Sequence, residues 1–297
     1  MTPDRFLIAG PTASGKSALA LRLARETSAT IVNADSMQVY RDLRIITARP
    51  TPEEEGQAPH LLFGAIDGAV NFSVGHWLRA VAPLLAADGP LVLVGGTGLY
   101  FKALTQGMSD MPAVPAEVRA HIRAEADGRA PEELHETLAA RDPLTASGLR
   151  PSDPQRILRA LEVLEATGRP LASFQGARKA PLLAPGTWRG VFLDIDRTDL
   201  RARIAARFET MMEEGALEEV RSLGQRGLDP ALPVMRAHGV PGLLAFLRGD
   251  GSREEAVARG ILDTQRYAKR QVTFARHQLP GFAFARADDA IALLRGV

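Results

Sequence analysis

Short apolar runs recur along the first third of the chain, separated by longer stretches with helical spacing. Phe6-Leu7-Ile8-Ala9, Thr30-Ile31-Val32-Asn33-Ala34, His60-Leu61-Leu62-Phe63-Gly64 and Leu91-Val92-Leu93-Val94 show little polar alternation. Strands covered on both faces of a parallel sheet read this way. A further run, Val191-Phe192-Leu193-Asp194-Ile195, lies far downstream. Between the runs, Ser17 to Ala24 is rich in strong helix formers, and Ser73 precedes a stretch in which Trp77, Val81 and Leu84 share one helical face. Alternating strands and helices predict an α/β domain with a parallel sheet. From Asp110 to about Pro185 the pattern changes, because prolines mark helix starts and apolar strand runs disappear. Helices are expected over 115–126, 131–140 and 154–166, the last with Asp153 as cap and Gly168-Arg169-Pro170 as stop. The chain therefore divides into a core of 1–109 with 186–297 and a helical insertion of 110–185.

The junction after the first run carries chemistry. Gly10-Pro11-Thr12-Ala13-Ser14-Gly15-Lys16-Ser17 fits G-x-x-x-x-G-K-[ST] between a strand and a helix. Loop amides and the helix N-terminus face an anion there, Lys16 adds a point charge, and the Ser17 hydroxyl is placed to ligate Mg²⁺. The fold class follows as a phosphate-loop NTPase-like parallel sheet with helices on both faces and a helical insertion domain. Asp35 comes just past the second strand and so faces the same crevice from a neighbouring strand. The fourth run ends in Gly95-Gly96-Thr97-Gly98-Leu99-Tyr100, where an ATP hydrolase often carries a metal-binding carboxylate. Glycines there admit a ligand close to the backbone, and Thr97 offers a small hydroxyl.

The phosphate loop, Asn33-Ala34-Asp35-Ser36-Met37-Gln38-Val39-Tyr40 and the Gly95–Tyr100 segment together resemble the bacterial tRNA dimethylallyltransferase family. Asp153-Pro154-Gln155-Arg156-Ile157-Leu158-Arg159-Ala160-Leu161-Glu162 and Tyr267-Ala268-Lys269-Arg270-Gln271-Val272-Thr273-Phe274 extend the resemblance in order to about residue 278. It implies transfer of a five-carbon group from dimethylallyl diphosphate to N6 of the adenosine 3′ of the anticodon, with Thr12, Ala13, Ser14 and Gly15 cradling the diphosphate. ATP is then a ligand at most. An exocyclic adenine amine is a poor nucleophile, so a carboxylate accepting its proton contributes a general-base factor of roughly 10²–10⁴. Asp35 is the candidate, Thr97 resembles the hydroxyl that positions the amine, and Lys16 with Mg²⁺ on Ser17 stabilises the departing diphosphate. The resemblance implies tRNA contact at Asp35, Ser36, Met37, Gln38, Thr97, Arg119, Gln155, Arg156, Ile157, Leu158, Arg159, Arg236, Lys269, Arg270, Gln271 and Arg276, with the insertion embracing the anticodon stem-loop. Arg119 and the arginines near Gln155 are equally open to structural ion pairing. In Met235-Arg236-Ala237-His238-Gly239-Val240-Pro241 the family usually reads closer to R-x-x-G-Y-R, and Val240 and Pro241 replace its aromatic and basic residues. His238 reads as a packing or surface residue. A small-molecule phosphate-loop kinase and an adenylate isopentenyltransferase acting on free nucleotide stay open as rivals.

Composition narrows the field further. The 297 residues suffice for one large domain and a smaller one, and 45% hydrophobic content suffices for a core. The chain has no cysteine, which removes disulfides, thiolate nucleophiles and cysteine zinc sites. The six histidines show no metal-ligand spacing, and there is no D-D-x-x-D diphosphate motif. The first apolar run is too short for a signal peptide and no stretch is long enough to span a bilayer, so a cytoplasmic monomer is expected. A formal net charge of +1 is weak for an RNA binder, so distribution decides. Arg197, Arg201, Arg203 and Arg207 form one basic cluster. Arg266, Lys269, Arg270, Arg276 and His277 form another, interleaved with Tyr267 and Phe274, whose rings suit stacking on unpaired bases.

Overall fold

The computed structural model describes residues 4–176 and 178–296. It divides into two compact units, Met1–Thr105 with Leu182–Val297, and Gln106–Pro181. The first unit begins with β1 Arg5–Ala9, α1 Lys16–Thr27, β2 Thr30–Asn33, α2 Pro52–Glu55, β3 His60–Leu61, α3 Val74–Ala86, β4 Leu91–Gly95 and α4 Gly98–Gln106. The second holds α5 Ala116–Ala126, α6 Pro131–Arg141, α7 Pro143–Ala146 and α8 Pro154–Thr167. The chain returns to the first as β5 Arg189–Leu193, α9 Arg197–Glu213, α10 Ala216–Gln225, α11 Val240–Leu247, α12 Arg253–Gln278, β6 Phe282–Ala285 and α13 Ala287–Arg295. The insertion thus starts at Gln106 rather than residue 110, and ends at Pro181 rather than residue 185.

The strands form a parallel sheet in the order β3-β2-β4-β1-β5-β6. Ile8 of the central strand pairs with Val94 on one side and Val191 on the other. Successive side chains of β1 enter different cores. Ile8 packs with Leu19 and Leu23 of α1 and Leu294 of α13, whereas Leu7 packs with Trp77 of α3, Tyr100 and Phe101 of α4, and Ala275 of α12. Both faces are covered, which is why these strands read as continuous apolar runs. Ser73 caps α3 as expected, in a capping box with His76. The buried Trp77 indole N–H donates to the Asn33 carbonyl at 2.8 Å, tying α3 to the end of β2.

Two strands depart from expectation. The run His60 to Gly64 yields only the two-residue β3, because Leu62 and Gly64 take left-handed φ values of 65° and 57° and turn the chain away. Edge strand β6 went unannounced. Its four residues, Phe282-Ala283-Phe284-Ala285, are apolar, but the run is short and two of them, Ala283 and Phe284, are exposed at the sheet edge. In the second unit, α5, α6 and α8 close around Ile122, Leu134, Leu138, Ile157 and Leu161. Asp153 caps α8 through the Arg156 N–H, and Gly168 ends it at φ 65°.

Candidate active site

At the end of β1 the chain turns through Gly10–Gly15 into α1. The turn needs left-handed backbone at Ala13, φ 63°, and at Gly15, φ 88°, and the glycine adopts it without steric cost. Lys16 folds back over this loop and donates from Nζ to the Pro11 carbonyl at 3.3 Å. Its side chain is only 8% exposed. Burial pulls its ammonium down to a pKa of about 8, with the Asp35 carboxylate opposing that shift and the Arg207 guanidinium adding to it. The Ser14 hydroxyl is buried with no hydrogen-bond partner among the described residues. An anion held in the loop would complete that bond.

Asp35 follows β2 and is fixed at both oxygens. Oδ1 accepts the Met37 N–H at 2.9 Å, and Oδ2 accepts the Gly96 N–H at 3.3 Å. The Thr97 hydroxyl accepts the Ser36 N–H at 2.9 Å and donates to Ser36 Oγ at 3.2 Å. Burial, and then the Asp35 charge, hold the Tyr267 phenol above its usual range. His238 lies against the same ring at 4.7 Å. Burial and the Arg270 guanidinium pull its imidazole below the usual range, so it is neutral near pH 7.

Ser14, Lys16, Asp35, Tyr267 and His238 line one cavity of about 270 Å³, whereas Thr97 and Ser36 lie outside its lining. Thr12 to Ser17, Asp35, Glu54 and Arg207 give it a charged end, and Ile46, Ile204, Phe208, Met211 and Ala237 give it an apolar wall. Phe208 is seated against two glycines. A Cβ on Gly260 would lie 2.3 Å from its ring, and one on Gly239 3.0 Å from it. The cavity suits a phosphorylated molecule with a short apolar tail, and a carboxylate and a hydroxyl stand beside it to handle a proton.

A family model described as IPP transferase matches residues 38–278, and one described as isopentenyl transferase matches residues 3–63. The chain belongs to the IPP transferase family. It is 62% identical over 292 residues to the tRNA dimethylallyltransferase of Methylocella silvestris, covering 97% of this chain and 96% of that one. With the tRNA dimethylallyltransferase of Rhodopseudomonas palustris it shares 56% identity over 99% of this chain and 93% of the other. Among solved structures it resembles the tRNA isopentenylpyrophosphate transferase of Bacillus halodurans. That match has 29% identity and a TM-score of 0.68, and covers 98% of this chain and 94% of that one. A eukaryotic dimethylallyltransferase acting on tRNA gives 25% identity and a TM-score of 0.74, covering 95% of this chain and 74% of that one.

In this IPP transferase the residues singled out from sequence separate into distinct places. Thr12 to Ser17, Asp35, Met37 and Gln38 line the cavity, and Gly10 and Pro11 form its turn. Gln38 donates to the Thr47 and Ala48 carbonyls and so holds the loop that follows β2. Ser17 is exposed within the cavity. No group of three or more His, Asp or Glu suited to a metal occurs among the described residues. One hydroxyl nevertheless fits Mg²⁺, which keeps several waters and takes phosphate oxygens.

Four expectations are corrected. Gln271 is not open to RNA, because it is 6% exposed and both ends of its amide are engaged inside the protein. Phe274 is not free for base stacking, since its ring packs over Gly98, where a Cβ would lie 2.4 Å away. Ile157 is fully buried in the core of the second unit, and Leu158 packs against that core. Ile157→Ala should lower the unfolding free energy by about 2–5 kcal/mol in denaturant titration, the cost of emptying a buried site. A loss under 1 kcal/mol would return Ile157 to the surface. Gln155 and Arg156 remain exposed, and Arg156 pairs with Asp153. Arg119, Arg123 and Arg159 converge on the buried Glu162 at 3.9, 3.5 and 3.7 Å, the structural alternative for these arginines. Arg236 is exposed on a short 3-10 turn.

Arg207 and Glu54 escaped the sequence reading. Arg207 was visible only as one of a run of arginines, yet it borders the buried stripe Ile204, Phe208 and Met211 at helical spacing. Burial draws its guanidinium below the usual range, opposed by Glu54, Asp35 and Glu214.

Proposed function

We propose that the chain transfers a dimethylallyl group from dimethylallyl diphosphate to N6 of the adenosine 3′-adjacent to the anticodon of tRNA, releasing diphosphate. The observation that carries this reading is the single cavity in which the phosphate loop, Asp35 and an apolar wall meet. The diphosphate takes the loop amides, the Ser14 hydroxyl, Lys16 and Arg207, and the five-carbon tail lies along Ile46, Phe208 and Met211. N6 attacks the allylic carbon as the carbon–oxygen bond breaks. The bonding electron pair leaves with the diphosphate, and the N6 proton passes to Asp35. Thr97, fixed by Ser36, orients the amine. The Ser17 hydroxyl would hold Mg²⁺, which when bound would supply charge neutralisation at the leaving group. A monomer is the working unit in this reading, and no described helix is long and apolar enough to cross a membrane.

Mass analysis of nucleosides from unmodified tRNA incubated with the protein, Mg²⁺ and dimethylallyl diphosphate tests the reading. The expected product is adenosine heavier by the prenyl group at that one position. Stoichiometric ADP release with a phosphorylated small molecule would replace it with the kinase.

The RNA path extends from α12. Lys269 and Arg276 share a groove of about 860 Å³ with Arg197, Arg201 and Arg286, and none of these five forms an ion pair among the described residues. Asp194 and Asp196 also line the groove, Asp196 as the cap of α9. Arg270 turns away and lies over the Tyr267 ring at 5.5 Å. The groove suits RNA phosphates. Joint replacement of Lys269 and Arg276 by Ala should raise KM for tRNA and flatten the log–log salt dependence by roughly 0.7–0.9 per lost contact. Unchanged KM and slope would make the groove a solvated face.

A further inference from the structure

The sheet ladder between β1 and β4 ends at Ala9 opposite Gly95, and both functional loops begin immediately beyond it. What holds those loops in register past the ladder is a side chain from elsewhere. Gln271 of α12 accepts the Thr12 N–H of the phosphate loop at Oε1, 3.0 Å away, and donates from Nε2 to the Gly96 carbonyl at 2.8 Å. Gly96 in turn donates its N–H to Asp35 Oδ2. The partners are one N–H and one carbonyl, and the carboxamide satisfies both in only one orientation. Local sequence is arranged for this reach. Ala268 and Ala275, on the same helical face, are buried and small and let α12 come close. Gly96 has no side chain because a Cβ would lie 2.1 Å from Gln271 Nε2.

We infer that Gln271 is a positioning residue that sets the distance between the diphosphate-holding loop and Asp35, and thus the alignment of donor carbon and attacking amine. The inference rests on the proposed reading of the cavity. Gln271→Met keeps length and burial but removes both bonds. Gln271→Glu keeps the acceptor for Thr12 and loses the donor to Gly96. Misplacement of reacting groups by about an ångström costs up to roughly 10²-fold in rate. Single-turnover prenyl transfer should therefore fall roughly 10- to 100-fold in Gln271→Met, and by a smaller factor in Gln271→Glu. Affinities for dimethylallyl diphosphate and for tRNA, measured separately at equilibrium, should stay within about threefold. In an Asp35→Asn background Gln271→Met should add little, because the group it aligns is already disabled.

Several results would overturn the inference. One is a folded Gln271→Met enzyme, with lowered Tm, that transfers at the parent rate, which would make the residue a packing element. Another is a rise in KM for tRNA at unchanged single-turnover rate, which would make it an RNA contact. Should Gln271→Met fail to fold, Gln271→Glu carries the same comparison, and a parental rate there with tight substrate binding refutes the tie. Failure of the underlying reading looks different. Asp35→Asn alone would then transfer at the parent rate, while Gln271→Met still reports on the loop register.

Discussion

Asp35→Asn lowers single-turnover prenyl transfer by roughly 10²–10⁴ while both substrates still bind, the factor expected for a positioned general base. The argument rests on what the two oxygens already do. Each accepts one backbone N–H, from Met37 and from Gly96, and each keeps a further lone pair. The asparagine oxygen can serve only one of those N–H groups, and its amide nitrogen faces the other. The substitution therefore costs about one hydrogen bond to a charged group, roughly 1.5–3 kcal/mol of stability. That is too little to unfold a domain of this size, so it does not account for the rate. A purely structural Asp35 gives the opposite pattern, with a lowered Tm and near-parental transfer by the folded fraction. Measuring both on one sample separates the two. Thr97→Ala should do less to the rate, because it removes a positioning contact and leaves the proton acceptor.

Much of this site is legible in sequence because its parts are local. The phosphate loop is one continuous segment whose glycines and lysine have fixed tasks, and Asp35 and Thr97 follow strands that their apolar runs declare. The exceptions are residues whose roles depend on distant partners. Gln271 sits in a motif with Lys269 and Arg270, and the family resemblance grouped all three as RNA contacts. Helical geometry sends them in different directions: Lys269 to the groove, Arg270 over Tyr267, and Gln271 inward to Thr12 and Gly96. Arg207 and Glu54 are a similar case, since helix-surface charges look alike until the cavity they border is known. Ile157 shows the reverse. Its apolar side marked it as core by spacing alone, and the resemblance to a family motif outweighed that signal. Edge strand β6 escaped because an exposed, short strand has no periodic signature.

Lys16 should give the second large effect, and it carries a sign that only a buried cation has. In the folded protein its pKa is about 8, against an ordinary value of 10.5, and burial is the main cause. A lysine whose pKa is lowered by folding binds fewer protons in the native state than in the unfolded chain between pH 8 and 10.5. Stability from this group therefore rises with pH across that window, and below pH 8 the buried ammonium is a standing cost to the unliganded protein. Diphosphate needs that ammonium. The kcat/KM for dimethylallyl diphosphate should fall by a factor of ten per pH unit above about pH 8, as the free enzyme loses its charge. Lys16→Met should lose this alkaline limb and bind the donor roughly 10- to 100-fold more weakly across the range, the worth of a charge-assisted contact. The same substitution should leave the unliganded protein at least as stable as the parent at pH 7, because the desolvation penalty goes with the charge. Lower stability together with unchanged donor affinity and a flat profile from pH 7 to 9 would place Lys16 in the scaffold of the loop and take it out of the diphosphate site.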